Sequence, residues 1–373
     1  MIHSGSLIDA LKANGLNFFV GVPDSLLKDF CAYLEDNAEA NQHLIAANEG
    51  NAVAVAAGYY LATGNTAVVY LQNSGLGNII NPITSLAHTD VYKIPMLLIV
   101  GWRGEPGIPD EPQHIKQGQV TPAQLKILGI PFKIASPDLD HEALVTWVKE
   151  TLAVTRAPVA LLVKKGSFLA YESQSNNVGA ARLSREQALS TLLDLVGDVA
   201  LIATTGKTAR EVFELRRAKG HTQADFLTVG AMGHASSIAL GVAMGAPQKK
   251  IICVDGDGAI LMHLGALPVI GSVRPDNFLH ILMNNAAHES VGGQPTVADK
   301  IDFKALIYAS GYRNYAVART QEELHDTWRS LADKQGPSFL EIKISLGSRS
   351  DLGRPTNTPR ENKLAFMRWL KEP

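Results

Sequence analysis

The stretch 251-IICVDGDG-258, followed by 278-FLHILMNN-285, decides how the rest of the chain reads. Each begins as a short, continuous apolar run, the pattern of a strand covered on both faces. Each then gives way to Gly, Asp or Asn where the strand ends, so polar side chains project at the carboxyl edge of a parallel sheet. The glycines allow a tight turn and close approach of a ligand's oxygens. The Asp257 carboxylate can hold a hard cation such as Mg2+, and an amide oxygen at Asn285 can complete an oxygen ligand set. Gly-Asp-Gly by itself is more often only a turn. Two such elements, one helical crossover apart, are far more specific.

The same alternation of strand and helix extends outward through two halves. In the first half, Leu7, Ile8 and Leu11 mark a helix face that stops near Gly15. Strands are expected at 18–20, 67–71, 95–101 and 159–163, with an Ala-rich helix from Glu49 to near Gly64. Asp24 or Ser25 is expected to cap the helix that buries Leu26, Leu27, Phe30 and Leu34. In the second half, a helix follows Ser184, and further helices are expected at 233–245, 301–309 and 322–331. Strands are expected at 201–203, 251–254 and 278–283, and 339–344 is expected to close the sheet. Short joints between alternating elements predict an α/β chain of two domains, each a mostly parallel sheet covered by helices on both faces. The domains are read as 1–175 and 184–373, with a linker over 176–183 and a basic, Pro-containing tail from 348 to 373.

Composition limits the partners. The 373 residues are 46% hydrophobic and 19% charged, and 34 Lys+Arg against 36 Asp+Glu give a net charge of −2. That excludes a disordered chain and leaves no general electrostatic attraction to nucleic acid. Cys31 and Cys253 lie far apart in apolar surroundings and read as buried free thiols of a reducing compartment. The first residues contain no basic stretch followed by a long apolar run, and 95–101 is too short to cross a bilayer. The expectations are the cytoplasm, no membrane, and small molecules or folded chains as partners.

The spacing of Gly-Asp-Gly and Asn-Asn, with 259–283 between them, resembles the cofactor motif of the thiamine-diphosphate enzymes. The resemblance implies that Asp257, the Asn285 side chain and the Ala287 carbonyl bind Mg2+. It places Gly256, Gly258 and Ala259 along the diphosphate, where a helix start offers free N–H groups. In 229-VGAMGH-234, Gly230 and Met232 match the segment whose bulky apolar residue props the bent cofactor. Glu49 matches the acid that contacts the aminopyrimidine and exchanges a proton with it. The first half would bind the pyrimidine and the second the diphosphate. The two would meet across a subunit boundary, so the implied assembly is a homo-oligomer, at least a dimer. The cofactor would act as the electron sink for a 2-oxo acid.

The pyrimidine domain comes first, as in the thiamine-diphosphate-dependent 2-oxo acid decarboxylases, but this chain has no room for a middle domain. Its compact form resembles members that act on phosphonate- or sulfonate-bearing 2-oxo acids. The likeness runs through 21-GVPDS-25, 101-GWRGEPG-107, 110-DEPQH-114, 288-HESVGGQPT-296 and 351-DLGRPT-356. The paired histidines of pyruvate decarboxylase are absent; the comparable loop reads 73-NSGLGN-78. The implied reaction is decarboxylation of a 2-oxo acid with an anionic phosphonate head. The alternatives are the sulfonate counterpart, a carboligase and a non-catalytic scaffold. Asp24, His114 and His288 are the titratable groups placed to deliver a proton. Ser25, Arg103, His114, Ser290, Gln294 and Arg354 are the candidate contacts to the head group, for which arginine's fork is well suited. Each of these also has an ordinary reading as a satisfied structural residue or, for the tail arginine, a solvated one.

Overall fold

A computed structural model describes residues 1–174 and 183–372. The chain divides into two compact units, Met1–Asn176 and Asn177–Pro373.

The first unit carries β1 (Phe18–Gly21), β2 (His43–Ile45), β3 (Ala67–Gln72), β4 (Met96–Gly101), β5 (Phe132–Ala135) and β6 (Val159–Val163). They form one parallel sheet in the order β2-β1-β3-β4-β6-β5. Successive side chains of a strand face opposite ways, and the central strands supply both cores on that period. Val68, Tyr70, Leu97 and Ile99 join one apolar cluster, whereas Val69, Leu71, Leu98 and Val100 join the other. The sheet is therefore buried on both faces, as its continuous apolar runs require.

The second unit repeats the plan. Its strands are β7 (Leu201–Ala203), β8 (Phe226–Leu227), β9 (Ile251–Gly256), β10 (Phe278–Asn284), the paired β11 (Ala287–His288) and β12 (Gln294–Pro295), then β13 (Asn314–Ala318) and β14 (Ser338–Lys343). The main sheet is parallel in the order β13-β14-β10-β9-β7-β8, and β11 pairs antiparallel with β12 as a small separate ribbon. Here Ile252 and Val254 face one core, and Ile251 and Cys253 the other.

Three expectations need correction. The segment at 339–344 does not close the sheet, because β14 lies inside it between β13 and β10. Neither Asp24 nor Ser25 caps the following helix. That helix, Lys28–Asn37, starts after Leu27 with no side-chain cap, and the Asp24 carboxylate accepts the Leu26 N–H one turn earlier. Leu183 is not linker: it is buried in the second core, and its carbonyl accepts the Ser345 N–H. The rest of the expected linker, 176–182, lies outside the described residues.

In both sheets the functional motifs sit where strands end. The carboxyl ends of β1, β3 and β4 carry 22–27, 73–78 and 102–107. Those of β7, β8, β9 and β10 carry 204–206, 228–234, 257–258 and 285–286. Open parallel sheets bind ligands along this edge.

Candidate active site

In the first unit, Asn48 caps the helix Glu49–Thr63 by accepting the Asn51 N–H. Glu49 is thereby the first helical residue, where a carboxylate is favoured. It is buried, and its Oε2 accepts 2.7 Å from Asn78 Nδ2. Its other oxygen occupies space that only glycine leaves open, since a Cβ at Gly75 would stand 2.3 Å from Oε1. The loop 73–78 thus fits the acid from two sides.

Asp24 is fully buried at the end of β1. Its carboxylate accepts from Gln72 Nε2 and from the Leu26 N–H. A Cβ at Gly101 would lie 2.0 Å from its Oδ2, so glycine at that position makes room for it. Burial holds the Asp24 pKa above the ordinary carboxylate range, with Gln72 and then the Arg103 charge opposing.

Arg103 forks onto Asp110 through Nε and Nη2, and its Nη1 donates 2.8 Å to Ser25 Oγ. Its hydrogen bonds to Asp110 keep the guanidinium charged. Among the described residues three of its five N–H donors are thus committed and two are not. His114, half-buried nearby, has its pKa pulled down to about 4 by burial and then by the Arg103 charge. It is therefore neutral near pH 7. The loop is held by close backbone contact: a Cβ at Gly118 would stand 1.7 Å from the Gly104 carbonyl oxygen. Asn73 braces it further, donating to the Arg103 carbonyl and to Thr121 Oγ1 while accepting the Arg103 N–H. Ser25, Asp24, Arg103 and His114 are brought together as a group.

In the second unit, the adjacent asparagines divide their duties. Asn284 points into the fold, donating to Glu341 Oε1 and accepting the Ala286 N–H. Asn285 stands at the edge, with Oδ1 accepting the Ala287 N–H at 3.2 Å and Nδ2 donating to Glu289 Oε2 at 2.8 Å. The left-handed Ala286 (φ 56°) turns the chain between them and the β11–β12 ribbon. Asp257 is buried and accepts the Thr296 hydroxyl at 2.5 Å, together with backbone N–H groups that include that of Asn285. Burial outweighs these bonds and raises its pKa to about 6. A buried carboxylate supplied only with neutral donors is short of positive charge. With an amide oxygen on the adjoining loop, it suits a hard cation. A Cβ at Gly256 would meet nothing within 4 Å, so the space at this turn is open.

His288 lies against Gly258, where a Cβ would come within 2.7 Å of its Nδ1 and 3.6 Å of Met232 Cε. Met232, Gly258 and His288 are thus neighbours. Burial lowers the His288 pKa to about 4, so this imidazole is also neutral. Gly230 and Ala231 lead into that corner, with Ala231 at φ 52°, and Ala259 is buried in the helix Asp257–Met262. Ser290 is exposed beside Gly206, and Gln294 is buried over Gly292. Arg354 is exposed on the tail, which the Gly353 N–H ties to Glu214. Thr296 donates its hydroxyl to Asp257.

Sequence reasoning does not find Gly75 and Asn78 as the frame of Glu49, or Gln72 and Gly101 as the frame of Asp24. It also does not pair Arg103 with Asp110. The frames of Glu49 and Asp24 depend on elements distant in sequence becoming neighbours, whereas Arg103 and Asp110 meet within one loop whose fold no spacing announces.

Two cofactor-suited clusters on two parallel α/β sheets define a class. Residues 3–126 match the family described as "Thiamine pyrophosphate enzyme, N-terminal TPP binding domain", and residues 203–342 match its C-terminal TPP binding domain. The chain belongs to the thiamine pyrophosphate enzyme family. It is 35% identical, over all of its length and 96% of the relative's, to "Phosphonopyruvate decarboxylase" of Streptomyces viridochromogenes. It is 34% identical to the protein of the same name from Streptomyces hygroscopicus, covering all of this chain and 95% of that one. With "Sulfopyruvate decarboxylase" of Methanosarcina acetivorans it shares 26% identity over 98% of this chain and 96% of that one. No described helix is long and apolar enough to cross a membrane.

Proposed function

We propose that the chain catalyses the thiamine-diphosphate- and Mg2+-dependent decarboxylation of 3-phosphonopyruvate to phosphonoacetaldehyde and CO2, a step of phosphonate biosynthesis. The observation that carries this reading is the full-length likeness, at 35%, to a protein named for that substrate, against 26% for the sulfopyruvate decarboxylase that matches over a comparable length.

The residues support it as follows. Asp257, Asn285 and the Ala287 carbonyl would hold Mg2+, and Gly256, Gly258 and Ala259 would line the diphosphate. Gly230 and Met232 support the cofactor beside Gly258. Glu49 holds and returns a proton at the aminopyrimidine. Bound thiamine diphosphate supplies a carbon nucleophile and an electron sink. The bond between the substrate's carboxylate and its oxo carbon breaks, and a proton must then reach the former oxo carbon. Asp24 is the donor best placed for this, because burial keeps its proton available nearer neutrality than an exposed carboxylate would. His114 and His288, neutral at working pH, act as hydrogen-bonding partners and proton carriers. Arg103 turns its two uncommitted N–H groups to the phosphonate, assisted by Ser25 and His114. Ser290, Gln294 and Arg354 complete the head-group contacts. The active unit is a homo-oligomer of at least two chains, working in the cytoplasm.

The test is CO2 release with cofactor and Mg2+ from phosphonopyruvate, sulfopyruvate and pyruvate in parallel, with the aldehydes identified by mass. Preferred turnover of phosphonopyruvate to phosphonoacetaldehyde is expected. Preference for sulfopyruvate would move the head-group assignment, and release from none of the three would overturn the reaction.

A further inference from the structure

Next to the edge asparagine lies a charged cluster that none of the roles above uses. Glu289 is largely buried, with a side-chain exposure of 10%. Four donors converge on it, two on each oxygen. Oε2 accepts from Arg185 Nη1 at 2.6 Å and Asn285 Nδ2 at 2.8 Å. Oε1 accepts from Lys207 Nζ at 3.1 Å and the Gly347 N–H at 3.2 Å. Arg185 in turn makes a buried two-point pair with Glu211, Nε to Oε2 at 2.7 Å and Nη2 to Oε1 at 2.9 Å. The two carboxylates and two cations cancel.

We infer that Glu289 is a positioning residue that fixes the side-chain amide of Asn285 so that its oxygen, and not its nitrogen, faces the cation. This rests on the reading of Asn285 as a metal ligand. An amide has a donor end and an acceptor end of nearly the same shape, and only its partners decide which way it lies. A carboxylate can only accept, so the Asn285 nitrogen must be the end that meets Glu289. The Ala287 N–H can only donate, so the oxygen must be the end that meets it, and one oxygen lone pair is left over. Both constraints select the same orientation. Arg185 and Lys207 have a second effect. They stand against the carboxylate as two cationic donors, Arg185 on Oε2 and Lys207 on Oε1, which favours its ionised form. The carboxylate therefore stays an acceptor, and its charge is already balanced, so it does not draw the cation away from Asp257. Partners one shell out from a metal typically alter its affinity 10–100-fold when removed.

The test measures thiamine diphosphate binding by equilibrium dialysis across a Mg2+ titration, without substrate. In Glu289→Gln, the replacement amide can turn its own NH2 toward Asn285. The half-saturating Mg2+ concentration is expected to rise at least about tenfold, while thiamine diphosphate binding at saturating Mg2+ recovers. If that variant does not fold, Glu289→Asp keeps the charge but withdraws it by one methylene, and the same shift is expected. Glu211→Gln is the control: it disturbs the same ion cluster without touching Asn285 and should leave the half-saturating concentration within about twofold. An unchanged Mg2+ requirement in a folded Glu289 variant would overturn the inference. So would an equal shift in Glu211→Gln, which would make the whole cluster merely structural. If wild-type protein bound thiamine diphosphate independently of Mg2+, the reading of Asn285 as a ligand would itself fail.

Discussion

Asp257→Asn should make the cofactor-free protein more stable while abolishing its response to the cofactor. In the folded chain the Asp257 pKa stands at about 6 against an ordinary 3.8, raised first by burial. A pKa raised on folding favours the folded state fully below 3.8, and that contribution is lost as pH rises through 6. At about 1.4 kcal/mol per pH unit, ionised Asp257 costs the folded state about 3 kcal/mol at pH 8. Asparagine keeps an oxygen for the Thr296 hydroxyl and carries no charge. At about 2–4 °C per kcal/mol for a unit of this size, the variant should melt about 6–12 °C higher at pH 8. At pH 4 the two proteins should melt together. Adding thiamine diphosphate and Mg2+ should raise the melting temperature of the wild type only, because binding to the folded state stabilises by mass action. Scanning calorimetry at pH 4, 6 and 8, with and without ligands, measures all of this. A variant less stable than wild type at pH 8, or a difference independent of pH, would refute the claim that Asp257 is an uncompensated buried charge.

Other outcomes can be checked separately. Glu49→Gln should bind thiamine diphosphate normally yet lose turnover by about 100-fold or more, as measured by dialysis and CO2 release. Gly75→Ala should mimic it, because the new Cβ would displace the Glu49 carboxylate; full activity would show that the position of Glu49 is not critical. Gly101→Ala should displace Asp24 and lower kcat with little effect on cofactor binding, and a kcat equal to wild type would remove Asp24 as proton donor. Mixing Glu49→Gln with Asp257→Asn chains after subunit exchange should restore part of the activity if each site draws on two chains. No recovery in verified mixed oligomers would argue against sharing.

The legible and illegible parts of the fold divide along a physical line. The inner strands β3, β4, β9 and β10 are apolar on nearly every residue because both faces are covered, and the runs at 67–71, 95–101, 251–254 and 278–283 reveal them. Within the two main sheets, the four strands without such a signal, β2, β5, β8 and β13, are the four edge strands. Their burial is partial, as in His43–Ile45 and Asn314–Ala318, so no continuous apolar run marks them. Missing β13 is also what made β14 look like an edge. The cofactor motifs were legible for a related reason: Asp257 and Asn285 follow directly from strand ends. The supports of Glu49 and Asp24 were not, since Gly75 and Gly101 act through the side chain they lack. The early helix cap failed because the Asp24 carboxylate was already engaged in its own turn.

The described apolar clusters have a consequence for the continuity of the chain. Every strand pairing of the first sheet lies within residues 18–163 and every pairing of the second within 201–343, and each core draws on residues of one unit alone. A break in the polypeptide between 174 and 183 would sever no ladder and open no core among the described residues. Covalent linkage then serves to deliver the two units in equal numbers. Two genes expressed in balance would meet the same requirement.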